Sequence, residues 1–233
     1  MNSDVSMVRF GDGEVRLMNE ISIPFQKSSP LLAKRLRQVL SDCSEGLIQG
    51  IPALFPSFNA TDNIDAITFS RGFFGKYHEF IVSHLNKSRT YYDVGLTYQY
   101  INHGSVDVSP LKDYFQKFIS IWEGKDIVVI CGNRVFNHID YNIFDSASNV
   151  QYLWAPTCNA FDEYDKILEQ AKKIPKDKLI VIILGPTATI LGYDLFKLGY
   201  RALDLGHLAK DYDAYKKQLK STDENIFKFF AKE

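Results

Sequence analysis

The sequence predicts an α/β fold in which a mostly parallel sheet is flanked by helices. Short apolar runs rich in β-branched residues alternate with segments whose apolar residues recur at helical spacing. Two runs, residues 126–131 (DIVVIC) and 179–184 (LIVIIL), are apolar almost throughout, as strands covered on both faces are. Strands separated by helices indicate βαβ units, and these units build a Rossmann-like parallel sheet.

The first half of the chain contains one predicted strand and two predicted helices. The strand covers residues 5–10. Ser29 and Pro30 then begin a helix, because a serine side chain can cap free N–H groups and proline is tolerated in the first turn. The apolar face of this helix is predicted to contain Leu31, Leu32, Leu36, Val39, Leu40 and Cys43. A loop is predicted over residues 50–58, and a second helix over residues 73–85.

The second half alternates more regularly. Ser109 and Pro110 repeat the cap-and-proline start of a helix that Gly124 ends, and Asn159 is expected to cap another helix. The remaining predictions are strands over residues 126–131, 150–154, 179–184 and 200–205, a helix over 159–171, and a helix that ends at Leu198 before Gly199. Composition does not change abruptly along the chain, so we expect a single domain over residues 1–233.

Composition excludes several classes of protein. Hydrophobic residues make up 45% of the chain, which excludes disorder as the main state. The net charge of −1 lacks the basic excess typical of nucleic-acid binders. Cys43, Cys131 and Cys158 have neither zinc spacing nor the pattern of a disulfide framework. No signal peptide is visible, and the apolar runs are far shorter than the roughly 20 residues of a membrane helix, so we expect a cytoplasmic protein.

An acidic pair follows the first predicted strand. In open parallel sheets ligands bind beyond the carboxyl ends of the strands, so residues just after strands are the first candidates for a site. Asp12 and Glu14 lie there, in a loop whose glycines let the backbone turn sharply. Both carboxylates could then point at one cation, and hard oxygen ligands suit Mg²⁺ or Mn²⁺. The alternative is a turn with two solvated carboxylates.

Two further segments follow later strands. Gly185 and Pro186 join a predicted strand to a helix whose first N–H groups could bind a pyrophosphate, the alternative being an ordinary strand–helix turn. Neither the dinucleotide fingerprint nor the P-loop pattern is present. His207 follows the last strand and could meet a metal or a phosphate, the alternative being a surface or structural histidine. Together the three segments are what a metal-assisted enzyme acting on a nucleoside diphosphate needs.

In this order the motifs resemble those of the GT-D glycosyltransferases, a family long described as a bacterial domain of unknown function. The resemblance is carried by residues 9–14 (RFGDGE), 159–165 (NAFDEYD), 184–188 (LGPTA), 193–200 (YDLFKLGY) and 204–207 (DLGH). It implies a Rossmann-like GT-D fold and a metal-dependent enzyme. Such an enzyme moves a sugar from a nucleotide sugar, typically UDP-linked, to a glycan, glycopeptide or lipid-linked acceptor in polysaccharide or glycoprotein biosynthesis.

The resemblance also implies roles for individual residues. The family's DxE motif falls on Asp12 and Glu14, which would hold Mn²⁺ or Mg²⁺, and His207 would join them as a catalytic and metal-binding residue. The nucleotide sugar would be contacted by Arg9, Gly11, Gly13, Gly185, Pro186 and Thr187.

Two segments depart from the family pattern. The loop over residues 131–144 keeps only the Asn-x-Phe end of the usual motif, and residues 96–102 stand where relatives tend to have Thr-Arg-Pro-Tyr. Both changes remove cationic groups, for which Arg134 or Arg71 could substitute. The sequence therefore leaves the donor contacts and the choice of sugar open.

Other questions stay open at this stage. Asp162 and Asp204 are candidates for the general base by position alone. A metal-dependent nucleotide-sugar phosphohydrolase, or a catalytically silent partner of a sister transferase, are the alternative functions. The C-terminal residues 226–230 (IFKFF) could contact a membrane surface, although a helix that packs on the body of the protein is the simpler interpretation.

Overall fold

One parallel sheet organises the part of the chain that the computed structural model describes, which is residues 5–54, 64–102 and 108–219. Its strands are β1 (Ser6–Arg9), β2 (Leu47–Ile51), β3 (Tyr92–Asp93), β4 (Asp126–Gly132), β5 (Asn149–Ala155), β6 (Leu179–Ile183) and β7 (Ala202–Asp204). They lie in the order β3-β2-β1-β7-β6-β4-β5, and every neighbouring pair is parallel. The predicted fold class is confirmed.

Helices connect most of the strands. They are α1 (Asp12–Met18), α2 (Pro30–Ser41), α3 (Ile64–His84), α4 (Gln99–Asn102), α5 (Ser109–Trp122), α6 (Tyr164–Ala171), α7 (Pro186–Lys197) and α8 (Leu208–Lys217), with 3₁₀ turns at Val94–Thr97 and Ala160–Glu163. The Ser29 hydroxyl caps α2 as predicted, accepting the Leu32 N–H at 3.2 Å. Among the described residues, no helix combines the length and apolar character needed to cross a bilayer.

Both faces of the sheet are covered. Along β4, Val129 and Cys131 pack into one cluster with α5 and α8, whereas Ile130 packs into another with α6 and α7. We call these two sides the α5–α8 face and the α7 face. Since both faces are occupied, the carboxyl ends of the strands are the natural place for a site.

Two short strands were not predicted. Residues 50–58 were expected to form a loop, but Gly50 and Ile51 belong to β2, while residues 55–58 lie outside the described part. The strand β2 was not recognised because Gln49 and Gly50 interrupt its apolar run. Buried Gln49 is accommodated because its side-chain amide donates to the Val39 carbonyl oxygen at 2.6 Å. The other strand, β3, is only two residues long.

Several details of the helices were wrong. Leu31 and Cys43 are exposed, because the buried stripe of α2 begins at Leu32 and the helix ends before Cys43. The helix predicted from residue 73 begins at Ile64. Ser109 is the first residue of α5, and the cap residue Val108 makes no side-chain capping bond.

Asn159 does not cap a helix as predicted. Its backbone is left-handed, with φ of 52°, and its side-chain oxygen accepts the Lys27 N–H at 2.8 Å instead. The predicted helix over residues 159–171 is divided into the 3₁₀ turn Ala160–Glu163 and α6. Asn159 therefore fastens the segment after β5 to the loop that follows α1.

A polar contact fixes the end of α2 against α7. The Asp42 carboxylate accepts the Ser44 N–H at 2.8 Å and the Tyr193 hydroxyl at 2.9 Å, and pairs with Lys197 at 3.0 Å. Burial acts to raise the pKa of Asp42, but these hydrogen bonds outweigh it and lower the pKa to about 2. A folded-state pKa below the unfolded value means that the charged carboxylate stabilises the fold.

Asp42→Asn is therefore expected to lower the free energy of unfolding at pH 7 by about 1–2 kcal/mol. The stabilisation by Asp42 is complete above the unfolded pKa of about 4 and is lost as the pH falls through about 2. The difference between variant and wild type should thus shrink as the pH falls from 4 to 2, measured by urea unfolding. Glu45→Gln, at an exposed carboxylate nearby, is the control, and a difference independent of pH would contradict the assignment.

Candidate functional site

A buried ion pair joins the carboxyl ends of two central strands. Arg9 ends β1 and Asp204 ends the neighbouring β7, and both are buried. The Asp204 Oδ1 atom accepts hydrogen bonds from Arg9 Nη2 at 3.1 Å and from Arg9 Nε at 3.3 Å. Burial raises the pKa of Asp204, and the Arg9 guanidinium opposes that shift. The pair fixes the chain where β1 and β7 end.

Gly206 makes room for this pair. A Cβ atom at this position would lie 1.7 Å from Arg9 Nη2, and the backbone φ of 46° is in the left-handed region. The Gly206 N–H also donates to Asp204 Oδ1 at 3.2 Å. Only glycine allows the turn after β7 to pass so close to the guanidinium.

The segment 94–102, which we call the crossing segment, runs from β3 to α8. Arg9 Nη1 donates to the Thr97 hydroxyl at 2.9 Å. At the other end, the buried Asp211 carboxylate accepts the Tyr100 and Ile101 N–H groups at 2.9 and 3.1 Å. The crossing segment is thereby fastened to β1 and to α8.

The crossing segment brings Tyr98 into the site. The Tyr98 ring meets the His207 ring edge-on, with centroids 6.4 Å apart. Burial raises the pKa of Tyr98, and the charges of Arg9, Asp12 and Glu14 are close enough to act on it. Sequence reasoning did not select Tyr98. Its only signal was the departure of residues 96–102 from the family pattern.

Asp12 and Glu14 lie in the first turn of α1 and not in a loop as expected. Residues two apart in a helix are separated by about 200° around its axis, so their side chains point in different directions. Glu14 turns back and accepts the Gly11 N–H at 2.6 Å, whereas Asp12 is 46% exposed and pairs with Arg16 at 3.6 Å. The two carboxylates therefore do not converge on one point.

The electrostatics of Glu14 distinguish it from Asp12. Burial raises the pKa of Glu14 to about 7, although Arg9 acts in the opposite direction. The carboxylate of Asp204 adds to the rise. Near neutral pH, Glu14 is therefore only partly ionised, and a bound cation would favour its charged form.

His207 is the residue directly before α8 and lies near Arg9. His207 is exposed, and partial desolvation by the surrounding protein lowers its pKa. The charges of Arg9 and Lys210 act in the same direction. The imidazole is therefore neutral at physiological pH, which is the form that binds metals.

The turn into α7 lies next to α1, because a Cβ atom on Gly13 would be 3.9 Å from the Pro186 ring. Gly185 has φ of 51°, and Thr189 donates its hydroxyl to the Arg9 carbonyl oxygen at 2.7 Å. Pro186 has no N–H, and the Ala188 N–H donates to the Gly185 carbonyl oxygen at 2.9 Å. Of the first three residues of α7, only Thr187 therefore contributes an N–H, which is fewer donors than the sequence predicted. The fully buried Thr187 hydroxyl has no hydrogen-bond partner.

The structure gathers some predicted residues and separates others. The charge of Arg9 acts on both Glu14 and His207, so these three residues lie close together at the ends of β1 and β7. In residues 5–54, 64–102 and 108–219, no three His, Cys, Asp or Glu side chains are close enough to hold a metal between them. Of the two candidates for the general base, Asp204 is engaged by Arg9 and Gly206, whereas the other, Asp162, is exposed in a 3₁₀ turn.

Gly206→Ala tests the close approach of the turn to Arg9, with Gly124→Ala as its matched control. Gly124 also has positive φ, of 68°, but a Cβ there would meet nothing within 4 Å. The control should cost about 1–2 kcal/mol of unfolding free energy for its backbone conformation alone. Gly206→Ala should cost at least about 2 kcal/mol more, because Arg9 must be displaced. Equal costs in urea unfolding would contradict the proposed packing.

Comparison with known proteins assigns this chain to a family. The family model described as "Glycosyltransferase GT-D fold" matches residues 7–231. The chain is 30% identical over 214 residues to "Probable glycosyl transferase Gly" of Streptococcus gordonii, which covers 91% of this chain and 31% of that protein. It is 31% identical over 210 residues to "Glycosyltransferase GlyD" of Streptococcus pneumoniae serotype 4, covering 89% of this chain and 25% of that protein. The chain thus spans a third or less of these relatives.

Solved structures agree with the family match. One described as "The highly conserved domain of unknown function 1792 has a distinct glycosyltransferase fold" is 37% identical, with a TM-score of 0.85, covering 93% of this chain and 77% of that chain. Another, "A New Glycosyltransferase (DUF1792) from Streptococcus sanguinis", is 31% identical with a TM-score of 0.85, covering 94% and 81%. By its sequence and its parallel sheet, the chain belongs to the GT-D family of glycosyltransferases.

Proposed function

We propose that this chain transfers a sugar from a UDP-linked donor to a glycan acceptor with the help of Mn²⁺ or Mg²⁺. The observation that carries the proposal is the cluster at the ends of β1 and β7. There the buried Arg9–Asp204 pair lies beside a desolvated carboxylate, Glu14, and a neutral imidazole, His207. Membership of a glycosyltransferase family supports the reaction class.

The residues present fit a cation that shares its shell with phosphate oxygens. Mg²⁺ is usually bound by one or two carboxylates together with substrate phosphates, and not by a cage of protein ligands alone. Glu14 supplies one such carboxylate, and the Asp12 side chain would have to leave Arg16 and turn toward Glu14 to supply a second. When bound, such a cation would neutralise the charge of the departing nucleoside diphosphate.

The other residues of the cluster act by position and charge. Arg9 uses Nε and both terminal nitrogens on Asp204 and Thr97, so we assign it the role of holding the site and not of gripping the donor. Its charge is balanced by the Asp204 carboxylate, so a bound cation would supply the attraction for a diphosphate. Neutral His207 can complete the contact with the diphosphate or its cation, and Tyr98 limits the space beside His207.

The donor side of the proposal is tested by calorimetric titration of UDP with Mn²⁺ and with a chelator. UDP should bind only with the metal. Asp12→Asn and Glu14→Gln should each weaken metal-dependent binding by about tenfold or more while leaving the fold intact. Glu169→Gln, at an exposed acid of α6, is the matched control and should bind as wild type.

Other outcomes of these measurements would favour one of the alternative functions. Binding of UDP that does not need the metal, or that survives both substitutions, would contradict the metal assignment. Failure to bind any nucleoside diphosphate would favour a silent partner subunit. Turnover of a UDP-sugar at the same rate with and without a glycan acceptor would indicate a phosphohydrolase.

A further inference from the structure

An exposed tryptophan stands at the end of the edge strand β5. Trp154 is 51% exposed, whereas the other tryptophan of the chain, Trp122, is fully buried. Leaving so much aromatic surface in water is unfavourable. Tryptophan is enriched at contact sites for ligands and partners, because its ring is apolar while its N–H can reach a polar group.

The indole is held rigidly before anything binds. Its ring lies parallel on the Tyr152 ring, with centroids 4.8 Å apart and an angle of 2° between the planes. Phe136 meets Tyr152 edge-on at 5.4 Å, and the Asn142 side chain donates to the Tyr152 hydroxyl at 3.2 Å. One face of the indole is covered by Tyr152, so the opposite face is the one presented to solvent. A fixed platform of this kind loses little entropy on binding.

The stacked Trp154 and Tyr152 rings lie on the same side of the sheet as the crossing segment. Tyr152, Phe136 and Leu96 of the crossing segment all pack against the hydrophobic cluster of the α5–α8 face. Trp154 is at the carboxyl end of β5, the edge at which the candidate site lies. Three strand spacings, about 14 Å, separate β5 from β7 in the sheet. A short chain of linked hexoses spans such a distance.

We propose that the free face of Trp154 binds one sugar ring of the acceptor glycan, a few sugars away from the hydroxyl that is glycosylated. The inference rests on the proposed function. The C–H groups on one side of a pyranose form an apolar face that matches an indole, while the hydroxyls around its rim need polar partners. Asn133 and Thr157 can supply those polar partners. They follow β4 and β5, and the Thr157 hydroxyl donates to the Asn133 side-chain oxygen at 2.9 Å.

The surroundings favour a glycan over a second protein chain. The residues near Trp154 just beyond the strand ends are polar, namely exposed Asn133 after β4 and half-buried Thr157 after β5. A stable protein interface needs roughly 1,200 Å² or more, with an apolar centre. A single aromatic ring bordered by amide and hydroxyl groups suits a sugar better.

Acrylamide quenching of tryptophan fluorescence tests the proposal directly, because Trp122 is buried and the quenched signal comes from Trp154. The probes are three tetrasaccharides, built of glucose, N-acetylglucosamine or galactose, added to the full chain. At least one should protect Trp154 from quenching. In calorimetry, Trp154→Ala should weaken binding of that tetrasaccharide by about tenfold, and Trp154→Phe by much less.

Tyr141→Ala, at a 45% exposed aromatic elsewhere on the α5–α8 face, is the matched control and should bind as wild type. No protection by any tetrasaccharide at tens of millimolar, or unchanged binding by Trp154→Ala, would overturn the proposal. So would protection without sugar at rising protein concentration, which would assign the surface to a second copy. UDP binding reports separately on the donor site: if UDP fails to bind while a tetrasaccharide does, only the proposed donor chemistry is wrong.

Discussion

The Arg9–Asp204 ion pair is the interaction on which the candidate site depends. It joins the last residues of two neighbouring strands in a buried position, and a buried pair is costly to break because removal of one partner leaves the other charged and unsolvated. The same guanidinium holds Thr97 of the crossing segment and fills the space that Gly206 leaves open. Residues from β1, β7 and the crossing segment are therefore positioned by one side chain.

This arrangement explains why the site is where it is. Helices or loops cover both faces of the parallel sheet, so polar groups can gather only where the strands end. At that edge the pair supplies two fixed charges of opposite sign, Glu14 a poorly solvated carboxyl group and His207 a neutral imidazole. The turn into α7 is less important than the sequence suggested, because proline and an internal hydrogen bond leave few free N–H groups.

Elements that follow from the periodicity of apolar residues were predicted from the sequence. Features that depend on a single tertiary contact were missed. The apolar runs of β4 and β6 and the cap of α2 are local signals, and they were confirmed. The strand β2 was missed because Gln49 is polar, although its side-chain N–H groups donate to backbone carbonyl oxygens of Val39 and Asp42 when buried. Asparagine is a common helix cap, yet the Asn159 side chain accepts the N–H of Lys27, which is 132 positions away in the chain. Tyr98 reaches His207 through the path of the crossing segment, which no local pattern specifies.

The central claim is that Arg9 and Asp204 act as a unit, and a double-mutant cycle tests it most directly. Arg9→Met, Asp204→Leu and the double variant would be compared with wild type by urea unfolding. Each single variant should lose about 3–5 kcal/mol, because it leaves an unpaired buried charge. The double variant should lose less than the sum, with a coupling energy of about 2 kcal/mol or more. Additive losses would show that the two residues act independently, and would contradict the account.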